Sequence, residues 1–487
     1  MSGLSQSAGL WMLLALAVLT VTTGMPVWTL LIGISSAFAM GGLVTGVIDL
    51  NVLSALPARL VGLLESDLLQ ALPLYVFVGL LLQRLAVADA LFSVLVRRLS
   101  PLGGGHAMGA LALGALVAPM NGSVASSAAM LTRLVAPRLK GLDTAKATAL
   151  VSVAATSGVV VPPSLVLILL GDAMMRAHTE ASNLPGFAGL AVMALGQTRI
   201  INTQDVFHAA LLPALAILLL WALVARWQSR AVPVEVPVTT RMQTTVATLA
   251  GAGIVLLLTG VFMGKLYAVE AAATGGMVLV VATLATRALS AAQWKDLLAE
   301  TLALSGALMA LLVGATVLSL VFRLLGTDHW IAQVLQASPL PIAVTAAGVL
   351  LMVAMCAWVL DAFEMIFVVI PIVAPPLIAL LGDAQQAAVL LLLVLQLSFL
   401  IPPMGYAVMM ARASSAHAVS NHSLVRALVP YVLVQLALVA TVFAAPWVVH
   451  QLDATAVPVV QDSDQDIERQ MQEMSAPSLP AAADPKP

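Results

Sequence analysis

Ten runs of about twenty apolar residues, set apart by Gly, Pro and charged punctuation, recur along the chain. They lie near 6–23, 26–44, 68–83, 146–172, 205–226, 243–263, 268–286, 299–322, 385–411 and 424–448. About twenty residues of α-helix span a hydrocarbon core of ~30 Å, so each run is the length of one membrane crossing. With 61% hydrophobic and only 9% charged residues, a water-soluble fold would expose large apolar patches. Lipid leaves no water for stray amides, and helices satisfy their own backbone, so the expected fold is an all-α polytopic membrane protein. No Lys or Arg precedes Arg59, so the first run lacks the basic start of a cleaved signal peptide and is expected to remain as a span.

Two further apolar stretches, 104–136 and 341–380, are each broken in the middle, by "APMNGSVASS" and by "WVLDAFEM". An internal repeat favours reading them as re-entrant hairpins. The break at Asn121 is followed 41 residues later by Pro162 and Pro163, and the break at Asp361 is followed 41 residues later by Pro402 and Pro403. "SPL" opens each hairpin, at Ser100 and at Ser338, and "ALLPALAILLL" from Ala210 resembles "ALVPYVLVQLAL" from Ala427. Two copies of one unit account for all of these landmarks. The expected organisation is a first repeat over 1–228 (hairpin 104–136, broken helix 146–172), a linker over 229–242, a second repeat over 243–450 (hairpin 341–380, broken helix 385–411) and a disordered polar tail over 451–487. Segments near 52–64, 86–98 and 328–337 mix apolar faces with Arg, Asp or His and are expected to be interfacial arms. The insert 176–204 is expected to be the longest loop facing outside.

Loop charge gives the copies a relative direction. With the N-terminus outside, the outer side keeps Arg59, Arg176, Arg199, Lys265, Arg323, Arg469 and Lys486, and the other 14 of 21 basic residues fall on the side that should be cytoplasmic. The first hairpin then opens inward and the second outward, which makes the repeats inverted. The net charge of -2 with dispersed basic residues leaves no nucleic-acid footprint. A single cysteine excludes an internal disulfide, and the seven histidines lack metal-ligand spacing. With no nucleophile, metal cluster or cofactor loop in view, an enzyme is the least supported class; "GVFMGK" from Gly260 lacks the spacing of a phosphate loop.

The chemistry should sit where helices break, because an orphaned amide in hydrocarbon costs several kcal/mol and irregular backbone persists only where protein or trapped water satisfies it. Four breaks qualify: the tips at 121–123 and 361–364, and the interrupted helices at 156–164 and 396–405. Helix C-termini expose carbonyls, which with Ser, Thr, Asn or Asp oxygens suit a hard cation, while helix N-termini suit a carboxylate. Taken singly, a Pro-Pro pair is an ordinary kink, and a membrane Ser or Thr ordinarily bonds to its own helix. Asp361 and Glu364 carry more weight, because a charged acid near the bilayer midplane costs roughly 2.5–3.5 kcal/mol even on a mild scale. Ser126, Ser164, Glu364 and Gly405, flanking the breaks, are the candidate solute contacts.

The stretches "NGSVASSAAMLTRLVAPRL", "SGVVVPPSLVLILLGD", "NTQDVFHAALLPALAILL", "YAVEAAATGG", "LDAFEMIFVVIPIVAPPLIALLGD" and "LQLSFLIPPMGYAVMMAR" resemble the large permease subunit of tripartite ATP-independent periplasmic (TRAP) transporters, over residues 5 to 450. The last two are similar to the branch labelled mannitol/chloroaromatic compound transport. "NGSVASS" is closer to the sialate and dicarboxylate branches. The resemblance implies an elevator-type transporter of the ion transporter superfamily in the bacterial inner membrane, with Na⁺ as coupling ion and no other cofactor. It also implies a separate small four-helix membrane subunit and a periplasmic solute-binding protein as partners. Positions matching the family's ion sites are Asn121, Ser123, Thr156, Ser157, Gly158 and Val161 for one cation, and Asp361, Gln396, Ser398 and Ile401 for another. The branch usually reads Asn-Leu-Gln-Thr-Ser before the second proline pair; Val394-Leu395-Gln396-Leu397-Ser398 here lacks two of those polar groups.

The expected function is Na⁺-coupled import of a small organic solute, a carboxylate by preference. A stand-alone carrier without a binding protein and a non-transporting membrane scaffold are the alternatives. Transport without a binding protein would mark the first, and hairpins unmoved by solute the second.

Overall fold

The computed structural model describes residues 2–65, 67–121, 123–139, 141–182, 200–230, 236–357, 360–401, 405–413 and 419–453. Gly122, Pro402, Pro403, most of the expected outer loop, the middle of the linker and nearly all of the tail lie outside the described residues. Residues 1–451 form one compact unit, and 452–487 a separate one.

Helices account for every expected run, and the described residues contain no β-strand. Seven helices are long and apolar enough to cross a membrane, or nine if each bent pair counts once. The chain is thus a multi-pass membrane protein. Several starts are set by capping boxes, in which the cap side chain and the residue three positions on satisfy each other's backbone amides. Asn202 with Asp205 opens Thr203–Ser229, Thr240 with Gln243 opens Arg241–Phe262, and Ser290 with Gln293 opens Ala291–Leu324.

Burial is ordered as lipid would order it. Arg241–Phe262 and Ala268–Thr286 leave large apolar side chains such as Leu249, Leu256, Met277 and Val281 exposed, which in water would be an aggregation surface. By contrast, Thr144–Val160 and Ala384–Ser398 are buried nearly all round, and helices apolar on every face belong at the centre of a bundle.

The first stretch expected as a hairpin forms Gly105–Asn121 and Val124–Leu134; the second forms Ile342–Cys356 and Ala362–Leu381. The two differ in reach, because Ala362–Leu381 is itself long and apolar enough to cross. Inside it, Met365–Val369 is a π-helical turn. Pro371 has no N–H to bond the carbonyl four residues back, and a wider turn relieves the ring's clash there. The broken helices are Thr144–Val160 with Leu165–Ala181, bent by 45°, and Ala384–Ser398 with Tyr406–Ala413. Their first segments start 240 positions apart.

Two expected boundaries are corrected. The first broken helix continues to Ala181 instead of stopping at 172, because Arg176 pairs with Asp172 at 2.7 Å one turn back and Met174, Ala177 and Ala181 are buried. The outer loop is shortened by that much. The span expected at 299–322 begins at Ala291 and runs 34 residues, about 51 Å at 1.5 Å per residue and longer than a hydrocarbon core.

Candidate functional site

Val124–Leu134, from the first hairpin, packs against both Thr144–Val160 and Tyr406–Ala413. Leu165–Ala181 in turn packs against Ile370–Leu381 of the second. The two pairs of hairpin and broken helix are therefore interleaved.

At the first break, Thr144–Val160 stops at Val161, whose extended backbone turns the chain away. Val161 N–H donates to the Ser157 carbonyl at 3.2 Å. Thr156 Oγ1 donates to the Val153 carbonyl at 2.9 Å. Ser157 Oγ is wholly buried and has no hydrogen-bond partner. An unsatisfied buried hydroxyl costs about 1–3 kcal/mol, which makes this one, at a helix break, a candidate ligand. Gly158 lies in the same buried last turn. Ser164 caps the following helix by accepting the Leu167 N–H at 3.1 Å, so its hydroxyl serves the helix start.

The first tip presents Ser123 as N-cap of Val124–Leu134, and its Oγ faces Ser126 N at 3.4 Å. The Ser126 hydroxyl accepts from Gln83 Nε2 at 2.7 Å, and Arg133 donates to the Gln83 carbonyl at 3.0 Å. Sequence reasoning missed Gln83. Its only sign was a polar side chain at the end of an apolar run. The Asn121 backbone ends the first arm of this hairpin, and its side chain lies outside the described residues.

At the second tip, Asp361 and Glu364 form a capping box, with Asp361 N–H donating to Glu364 Oε2 at 3.1 Å. The acids therefore start a helix, which gives them a structural role as well. Asp361 Oδ1 nonetheless is buried without a partner. At the second break, Ser398 Oγ donates to the Val394 carbonyl at 2.7 Å. Gly405 N–H donates to the Ile401 carbonyl at 2.9 Å. A Cβ on Gly405 would lie within 2.7–2.9 Å of backbone atoms of Phe399 and Ile401, so this position has room for no side chain.

The breaks meet at one hydrogen bond. Gln396 Nε2 donates to the Thr156 carbonyl at 3.2 Å. Gln396 Oε1 accepts from Gln435 Nε2 at 2.7 Å, and Gln435 also donates to the Leu393 carbonyl at 3.1 Å. All of these groups are buried. Gln435 also escaped sequence reasoning, although it is an isolated amide inside the apolar helix Asn421–Ala444.

These residues answer differently to a hard cation. Ser157 Oγ and Asp361 Oδ1 are unsatisfied oxygens of the kind that suits one. Ser398 Oγ gives its proton to the Val394 carbonyl and Gln396 Oε1 accepts one N–H, so each oxygen is held in place by protein and keeps a lone pair.

A multi-pass helical protein whose paired helix breaks hold unsatisfied oxygens has the build of a membrane transporter. The chain belongs to the tripartite ATP-independent periplasmic transporter family, DctM component, whose model matches residues 13–448; this component is the large membrane subunit of such a transporter. The fold is also similar to that of the YdaH transporter of Alcanivorax borkumensis. That likeness has a TM-score of 0.58 at 14% identity, covering 81% of this chain and 88% of that one. No curated protein matches the chain.

Proposed function

We propose that the chain is the large permease of a Na⁺-coupled importer of a small organic carboxylate in the bacterial inner membrane, working with a small membrane subunit and a periplasmic solute-binding protein. The single observation that carries the coupling is the unpartnered, wholly buried Ser157 hydroxyl at a helix end. Ser157 and the carbonyls of that helix end would hold one cation, and Asp361 would offer an oxygen to a second. A bound cation supplies positive charge in a dry interior, where a solute carboxylate would otherwise pay its full desolvation cost. The start of Leu165–Ala181, capped by Ser164, adds positive dipole on the same side.

The test is uptake into proteoliposomes carrying this chain, its small subunit and loaded binding protein. Uptake should require an inward Na⁺ gradient, and Ser157→Ala should lower its dependence on Na⁺. Uptake at the same rate in choline would end the coupling reading. Accumulation without any binding protein would favour the stand-alone carrier instead.

An elevator movement adds a second expectation. Asp67–Arg84 is tied to Ala291–Leu324 by Arg84, which bonds Glu300 at 2.6 Å and the Gln293 carbonyl at 2.9 Å. In the proposed reading these two helices are the static frame. Gln83 to Ser126 and Arg323 to Glu180 then cross from frame to moving unit and must break during transport. In a Cys356→Ala background, cysteines at 83 and 126 joined by a short bis-methanethiosulfonate reagent should abolish uptake, with either single cysteine unaffected. Full uptake by the cross-linked protein would show that the hairpin need not leave the frame.

A further inference from the structure

We propose that Gln435 is a positioning residue for the Ser157 cation site, acting through Gln396. The inference rests on the Na⁺-coupled reading above and deepens it.

Gln396 has one acceptor atom, Oε1, and one of its lone pairs takes the Gln435 N–H at 2.7 Å. Its amide group points the other way, to the Thr156 carbonyl at 3.2 Å. Gln435 fixes which end of Gln396 is which: an acceptor facing the Gln435 amide leaves only a donor for Thr156. Gln435 is itself held by its second bond, to the Leu393 carbonyl at 3.1 Å. Both glutamines are fully buried, so water cannot substitute for either partner.

The far end of this chain is the peptide between Thr156 and Ser157. The bond to the Thr156 carbonyl anchors the last turn of this helix against the second broken helix, beside the Ser157 side chain. The Ser157 hydroxyl is left unpaired, as is Gln435 Oε1, while the Thr156 hydroxyl and both ends of Gln396 are bonded. Thr156 and Gln396 stand 240 positions apart, the same offset that separates the starts of the two broken helices. A bond between equivalent positions lies beside the axis that relates the two halves, so one amide registers both broken helices at the level of the site. Outer-sphere partners of this kind commonly change metal affinity by about 10–100-fold without touching the ion.

The test uses the purified full-length chain and reads thermal stabilisation by NaCl, with choline chloride replacing it at constant ionic strength. Gln435→Leu should raise the Na⁺ midpoint by about tenfold or more with Ser157 intact. The double variant Gln396→Leu/Gln435→Leu removes both buried amides together. It should recover most of the Na⁺-free melting temperature lost by the single variants, because no glutamine remains unpaired, and yet keep the weakened Na⁺ response. A purely structural role predicts lowered melting with an unmoved midpoint, and that result overturns the proposal. A lowered Na⁺ midpoint in Gln435→Leu also overturns it. No Na⁺ response in the wild-type protein would overturn the coupling reading and this role together. A normal wild-type response with unmoved variants overturns the role alone.

Discussion

Gly114→Ala is expected to cost about 3 kcal/mol or more of stability, at the upper end of overpacking effects, while Gly348→Ala in the matching arm of the second hairpin should change stability by less than about 0.5 kcal/mol. A Cβ on Gly114 would lie 2.3 Å from the Ala154 carbonyl oxygen, 3.0 Å from its carbon and 3.2 Å from its Cα. All three are backbone atoms in the middle of Thr144–Val160, so no side-chain rotation relieves the overlap. Hairpin and helix would have to separate along their shared face, and that face positions Thr156 and Ser157 one turn further on. Gly348 has no atom within 4 Å of its would-be Cβ. The two substitutions are chemically identical and sit in corresponding hairpin arms. Thermal unfolding of both purified variants, with size-exclusion profiles as a check on folding, measures the difference. Equal melting temperatures would mean that the first hairpin does not dock on the broken helix at this distance.

The elements of the fold were legible because lipid imposes a length rule that sequence shows directly: twenty apolar residues, then punctuation. The breaks were legible because Pro and polar residues are expensive in a membrane helix and therefore informative there. Asn121, Asp361 and the two proline pairs fell at one spacing, and that spacing pointed to the interior where the elements meet. The extent of Ala362–Leu381 was less legible, since an apolar run reads alike as a buried hairpin arm or as a crossing. The extension to Ala181 was hidden by polar residues, Asp172 and Arg176, which pair one turn apart on the helix. Within the site, residue types were visible but their partners were not. Gln396 looked like a ligand because an amide oxygen can be one; that the same oxygen takes the Gln435 N–H, from a different helix, was not visible. Asp361 looked like a pure functional acid, and the capping box gives it a second task.

Those two tasks of Asp361 can be separated, and separating them gives the largest functional effect expected. Asn caps a helix about as well as Asp, so Asp361→Asn should leave the start of Ala362–Leu381 intact. It exchanges a carboxylate for a neutral amide whose oxygen binds a cation less strongly. Hydrogen bonds and contacts to charged groups are worth about 1.5–3 kcal/mol, so transport should fall by roughly 10–100-fold at unchanged thermal stability. Asp361→Ala loses both tasks, and its melting should also reflect a missing cap, about 0.5–2 kcal/mol. Ser423, which lies at the start of Asn421–Ala444 away from the tips, supplies a control: Ser423→Ala should transport normally. The deciding comparison is Asp361→Asn uptake against wild type across a Na⁺ titration that includes concentrations below the wild-type midpoint, at saturating solute and with protein amount matched. Wild-type uptake by Asp361→Asn, together with impaired folding of Asp361→Ala, would reduce Asp361 to a helix cap and leave Ser157 as the oxygen on which cation binding turns.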